Sequence, residues 1–217
     1  MSGTKHQFQI YLPGLLKVLA ENLYSTKKVA IRELLQNSHD SCVRRMVESG
    51  EDSDYQPRVH VTIDPEQQII RIIDNGSGLT SEEVTEYLAT IGRSYTRDLG
   101  ERLSILSPEE AERLIGQFGL GFLSAFLIAT EVRLITKSMQ PGSEAVEWTS
   151  SGDIHYETKP GQRDEIGTTV ELNVKSSASF LVSEQILIET VQQYADFLSI
   201  PIYVGEQTWA SNMITPP

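Results

Sequence analysis

The stretch at residues 30–45, AIRELLQNSHDSCVRR, constrains this chain most. It commits the chain to one long helix that is apolar on one flank and chemically mixed on another. Glu33, Asn37, Asp40 and Arg44 follow one another at spacings of four, three and four. On a helix of about 3.6 residues per turn, those side chains line one narrow stripe. Ala30, Ile31, Leu34, Leu35, Val43 and Met46 fall on other sides and are expected to face a core. The stripe then offers an acid, an amide, a second acid and a base. An ordinary solvated face also carries charges at helical spacing, so the reading depends on what accompanies the stripe.

Two glycine-rich turns accompany it. Asp74-Asn-Gly-Ser-Gly78 follows directly on an expected strand. A carboxylate at a buried strand end can accept from the exocyclic amine of an adenine, and Gly76 and Gly78 let the backbone pass close to a flat ring. The same pattern closes many loops. Gly116-Gln-Phe-Gly-Leu-Gly121 opens a helix. Main-chain N–H groups at such a start, clear of side chains, form a site for phosphate anions; the alternative is a turn packed tightly on a neighbour. No Gly-Lys-Ser/Thr follows, which excludes a Walker P-loop. On the helix, the Asn37 carbonyl suits a hard cation such as Mg²⁺. Glu33, one turn earlier, can orient or deprotonate a water aimed at a γ-phosphate. Asp40 and Arg44 lie further along and suit the nucleoside side.

The rest of the chain reads as alternating strands and helices. A strand is expected at residues 7–12 and a short helix at 14–22, with Ser25 or Thr26 capping the organising helix. Val59, Val61 and Ile63 alternate, a turn follows at Asp64-Pro-Glu, and residues 69–73 return as the second strand of a hairpin. Thr80-x-x-Glu83 and Ser107-x-x-Glu110 are capping boxes within a polar helical excursion hinged by glycines at both ends. Residues 122–128 form an apolar helix. Strands are expected at 132–136, 145–149, 154–158 and 168–174, with Gly142, Gly152 and Gly161 at the turns. A last helix at 181–198 leads to a closing strand at 200–204. With no internal repeat and no linker, residues 1–217 read as one α+β domain, a mixed sheet with helices on one face.

Composition narrows the functions open to such a domain. A formal net charge of −12 argues against non-specific binding of nucleic acid or anionic membrane. The chain has one cysteine, Cys42, so it can form no internal disulfide. No apolar run approaches the roughly 20 residues that span a bilayer. A cytoplasmic setting is expected. Cys42, Trp148 and Trp209 are read as packing residues, and His6, His60 and His155 show no metal spacing.

Taken together, Glu33-x-x-x-Asn37-x-x-Asp40, Asp74-x-Gly-x-Gly78, the helical excursion and Gly116-x-x-Gly-x-Gly121 resemble the GHKL superfamily of ATPases. That group comprises gyrase, ninety-kilodalton heat-shock chaperones, histidine kinases and MutL mismatch-repair proteins. Residues 32–40 (RELLQNSHD) and 115–126 (IGQFGLGFLSAF) look like the N-terminal ATPase domain of the chaperone branch. So do Tyr24-Ser-Thr-Lys, Glu147-Trp-Thr-Ser and Ile166-Gly-Thr168.

The resemblance implies a two-layer α/β sandwich of the Bergerat type with a mostly antiparallel sheet. It implies an ATP/ADP pocket with bound Mg²⁺, under a helical lid at about residues 79–121. Glu33 would be the general base and Asn37 the metal ligand. Asp74 and Thr168 would hold adenine, partly through water, and Arg93 would reach towards phosphate. Asp40, Ser41, Arg44, Gly78, Leu79, Gly119, Leu120, Gly121 and Phe122 would complete the nucleotide set. The chain would be part of a longer chaperone that acts on unfolded client proteins and dimerises through regions outside these residues, with no nucleic-acid or membrane partner. Hydrolysis would be slow, because a phosphate-contacting arginine lies outside the chain. A nucleotide switch with negligible hydrolysis, or another GHKL ATPase, are the alternatives. Tyr87, His39, Ala89 and Tyr95 depart from the family's pattern.

Overall fold

Among the described residues, alternating apolar residues build a seven-stranded sheet in the order β5-β4-β3-β6-β2-β1-β7. The computed structural model describes residues 26–50, 54–89, 121–153 and 155–212, without the side chains of Tyr87 and Ala89. The strands are β1 (Val59–Asp64), β2 (Ile69–Asp74), β3 (Ala129–Lys137), β4 (Val146–Ser150), β5 (Glu157–Pro160), β6 (Gly167–Val174) and β7 (Ile202–Val204). Neighbours pair antiparallel except β1 and β7, which run parallel. The helices are α1 (Lys28–Ser49), α2 (Ser81–Ala89), α3 (Ala125–Ile128) and α4 (Glu184–Ala195), with 3₁₀ turns at Gly121–Ser124 and Ser176–Leu181. This is the expected mixed sheet with helices, an open α+β fold.

Strand alternation sorts the two faces of the sheet. Val59, Val61, Ile70, Ile72, Val132, Leu134, Val170 and Leu172 join Ile31, Leu34 and Leu35 of α1 in one core cluster. Burying each such side chain contributes about 1.5–3 kcal/mol. The alternate residues carry charge. Arg71 pairs with Glu171 at 2.6 Å, Glu171 with Arg133 at 3.7 Å, Arg133 with Glu147 at 2.8 Å and Glu147 with Lys159 at 3.0 Å. The ladder crosses five adjacent strands with alternating sign. The Arg133 hydrogen bond, joined by Lys159, holds the Glu147 carboxyl down at about 2.

Several expectations need correction. Val43 and Met46 do not face the core: they are 37% and 47% exposed, while Ser38 and Cys42 are buried. The buried stripe of α1 continues from Leu34 and Leu35 through Ser38 and Cys42 at helical spacing, so Val43 and Met46 rotate off it. The strand expected at 154–158 forms later, at Glu157–Pro160, where every residue is exposed. An edge strand without a buried face leaves no alternation to fix its position, and a terminal proline suits that edge. The helix expected at 181–198 is shorter at both ends, Glu184–Ala195, and Leu181 instead closes the 3₁₀ turn at Ser176–Leu181. Trp209 is 66% exposed. Three residues on, buried Asn212 donates from Nδ2 to the carbonyls of Ala195, Leu198 and Ile200.

The elements expected at 7–12 and 14–22, the capping box at 107–110 and most of the lid lie outside the described residues. The Thr80 capping box is present at the start of α2. The Thr80 N–H donates to Glu83 Oε2 at 2.8 Å, and the Glu83 N–H donates to Thr80 Oγ1 at 3.2 Å.

Candidate functional site

Three neighbouring strands end in a polar row. Asp74 on β2 stands opposite Thr168 on β6, and Thr168 stands opposite Thr136 on β3. Register partners leave a sheet on the same face, here the face that α1 covers. All three side chains are buried, at 4%, 8% and 0% exposure. The N–H groups of Gly76 and Thr168 and the hydroxyl of Ser41 donate to Asp74 Oδ1, at 2.8, 3.2 and 3.4 Å. Among the described residues, Oδ2 takes no hydrogen bond. Burial pushes the Asp74 carboxyl up to about 6, against the lowering pull of the Gly76 N–H, Arg163 and the Thr168 N–H.

Close backbone approach accounts for the glycines beside this row. A Cβ on Gly76 would stand 2.2 Å from Ser41 Oγ and 2.7 Å from the Cys42 nitrogen, so Gly76 lets β2 end tight against α1. Gly78 adopts φ +60°, with the Lys137 carbonyl oxygen 2.0 Å from a Cβ position. The turn is sealed on both sides. The Ser77 N–H donates to the Ser41 carbonyl at 3.0 Å, and the Met139 N–H donates to the Ser77 carbonyl at 2.8 Å. Both glycines therefore answer to close packing against α1 and β3.

The α1 stripe meets the second glycine motif. A Cβ on Gly121 would stand 2.5 Å from Glu33 Oε2. The other oxygen, Oε1, accepts from Arg32 Nη2 at 2.6 Å and Nε at 3.1 Å. Glu33 is thus held by one oxygen, with the other turned to the Gly121 backbone. Asn37, one turn on, is exposed, and its amide makes no hydrogen bond among the described residues. Asp40 is also exposed and accepts from Gln36 Nε2 at 2.8 Å, with His39 Nδ1 3.1 Å away. Arg44 donates to Glu48 at 2.8 Å and to Glu83 at 2.9 Å, tying α1 to α2 at the base of the expected lid. Leu79 and Phe122 are partly buried against the core, and Phe122 meets Trp148 edge-on at 5.7 Å. Arg93, Gly119, Leu120 and Tyr95 lie outside the described residues, as do the side chains of Tyr87 and Ala89. Cys42 is a buried helix residue whose thiol burial pushes up to about 11.

Two residues of the site were not singled out from sequence. Thr136 Oγ1 accepts from the Leu79 N–H at 2.9 Å and contacts Thr168 Oγ1 at 3.0 Å. Its signal was available: in the inward series Val132, Leu134, Thr136, a hydroxyl stands where the pattern calls for a hydrocarbon. Arg163 donates to the Asp74 carbonyl at 2.9 Å from the loop before β6, and no local pattern marks it.

Residues 24–177 match the model of the histidine kinase-, DNA gyrase B- and HSP90-like ATPases. The chain belongs to this family. As an HSP90-like ATPase domain it is a nucleotide-binding domain, and its similarity to individual members is extensive. It is 35% identical over 213 residues to the chaperone protein HtpG of Idiomarina loihiensis, covering 94% of this chain and 33% of that protein. It is 32% identical over 208 residues to HtpG of Polaromonas naphthalenivorans, covering 93% and 33%. It is 34% identical over 206 residues to the mitochondrial heat shock protein 75 kDa of Rattus norvegicus, covering 94% and 29%. The chain spans about a third of the length of these relatives. Among the described residues, no helix is long and apolar enough to cross a membrane.

Proposed function

We propose that this HSP90-like domain binds ATP between α1 and the Asp74–Thr168–Thr136 row and hydrolyses it slowly. In that reading, ATP drives lid and clamp closure of a chaperone acting on unfolded client proteins. The observation that carries it is the buried Asp74 carboxylate, whose Oδ2 takes no hydrogen bond among the described residues. An adenine amine is a partner of the right polarity for that oxygen. Thr168 shares the adenine, partly through water, while Leu79 and Phe122 line the pocket. Arg44 serves through Glu83 at the lid base, and Asp40, Ser41 and the backbone at Gly78, Gly119, Leu120 and Gly121 complete the nucleotide contacts.

Glu33 is the general base, positioned by Arg32 on Oε1, with Oε2 left to take a proton from water. Asn37 is the Mg²⁺ ligand. Among the described residues no group of three or more His, Cys, Asp or Glu is placed to hold a metal ion. A hard cation that keeps several waters and leans on phosphate oxygens fits a single amide oxygen. When bound, the ion would neutralise phosphate charge. Arg93 would add a positive group from the lid. Residues 1–217 act as one domain of a longer, dimeric protein in a reducing cytoplasmic setting, without nucleic-acid or membrane partners.

A second reading is a nucleotide switch with negligible hydrolysis. The pairing of Arg32 with Glu33 Oε1 favours it, because that oxygen is already engaged by two N–H donors and is not open to a water. Calorimetry with ATP and a non-hydrolysable analogue, beside phosphate release, separates the two. The ATPase reading expects both ligands to bind and phosphate to appear above background. Binding of both without release would support the switch.

A further inference from the structure

The hydroxyl of Thr136 makes three contacts. It accepts from the Leu79 N–H at 2.9 Å, faces the Gly167 carbonyl at 3.2 Å and faces the Thr168 hydroxyl at 3.0 Å. A threonine hydroxyl has one proton and two lone pairs. The Leu79 N–H can only donate and the Gly167 carbonyl can only accept. One assignment satisfies all three contacts: Thr136 donates its proton to Gly167 and accepts from Leu79 and Thr168. Thr168 must then donate its single proton to Thr136, and towards the site it presents lone pairs alone. Asp74 beside it, ionised, also only accepts.

We propose that Thr136 is a positioning residue that fixes Thr168 as an acceptor and so sets the base specificity of the site. The proposal rests on the nucleotide-site reading above. With Thr168 pinned this way, the floor of the site carries acceptors only. A purine presenting an amine at its six-position donates into that floor, whereas one presenting a carbonyl meets lone pairs with lone pairs. Discrimination by an unpaired buried polar group is stronger than discrimination by shape. Loss of the Thr136 hydroxyl frees Thr168 to rotate and donate, so the carbonyl purine regains a partner while the amine purine does not lose its own.

The test is titration of the 217-residue chain with ATP and with inosine triphosphate, which differ at that six-position. Wild type binds ATP in preference. Thr136→Val, which keeps the shape and removes the hydroxyl, lowers the ATP-to-inosine-triphosphate affinity ratio by about tenfold, and Thr136→Ser restores it. A merely structural role for Thr136 would weaken both ligands alike and leave the ratio unchanged, which overturns the proposal. If Thr136→Val does not fold, Thr168→Val decides, since it removes the acceptor itself and must lower the ratio by a similar factor; an unchanged ratio there also overturns the proposal. Failure of wild type to bind ATP at all would instead overturn the nucleotide-site reading on which it rests.

Discussion

Gly121 and Glu33 share one space: the Cβ that Gly121 lacks would stand 2.5 Å from Glu33 Oε2. Gly121 has no positive φ, so an alanine there would not strain its own backbone. The carboxylate would move instead, being the far end of a side chain, and would pull on its Arg32 hydrogen bonds. Gly121→Ala is therefore expected to act as a displaced Glu33. If Glu33 is the base, Glu33→Ala binds ATP within a few-fold of wild type, about 1 kcal/mol or less, and loses phosphate release to background. Gly121→Ala should follow in the same direction, with release reduced by up to roughly 10²–10⁴. Titration beside phosphate release checks both. Wild-type release from Glu33→Ala would remove Glu33 from the chemistry, and lost binding would mean that its carboxylate holds the pocket together.

Asn37 is exposed on the same stripe, and its amide has no described hydrogen bond to lose. Asn37→Ala should leave the fold unchanged and weaken Mg²⁺-ATP far more than adenosine, which has no phosphates for a metal to bridge. Equal losses for the two ligands would make Asn37 a structural residue.

The sequence was most legible where one residue had one job. The α1 stripe, the β1–β2 hairpin and the Thr80 capping box each depend on local spacing, and each formed where that spacing put it. The ends of elements were less legible. Nothing local tells Val43 that the buried stripe has narrowed to Ser38 and Cys42, and nothing local fixes the register of an edge strand exposed along its whole length. The placement of Asp74 at a buried strand end and of Glu33 on the α1 stripe was readable from local spacing. Arg163 was not, because its role comes from a long-range contact with the Asp74 carbonyl. Gly76 and Gly78 were recognised as necessary, but the space they provide is filled by α1 and by β3.

Burial raises the Asp74 carboxyl from 3.8 to about 6. Between those values the folded chain holds a proton that the unfolded chain has released, so this group's contribution to stability falls as pH rises through the window. The cost is fully present above about 6 and absent below 3.8. It is on the order of 3 kcal/mol. Glu147 has the opposite sign: its stabilisation is present above 4.5 and lost as pH falls towards about 2. Asp74→Asn should therefore gain on wild type in denaturant midpoint between pH 4 and pH 7, with the two curves converging at the acid end. Parallel curves across that range would mean that Asp74 does not ionise within it.

The central claim is that Asp74 receives the base of a nucleotide. Asparagine in its place keeps an Oδ1 that can still accept from Gly76, Thr168 and Ser41, so the fold should stand. At the other position an amide replaces the carboxylate oxygen, so a donor faces the adenine amine. The mismatch should cost on the order of 1–3 kcal/mol, and more if the carboxylate is charged. The decisive measurement is a calorimetric titration of the 217-residue chain and of folded Asp74→Asn with ATP. The account predicts saturable binding to the wild type and no measurable binding to the variant. Equal affinity in the two would contradict it.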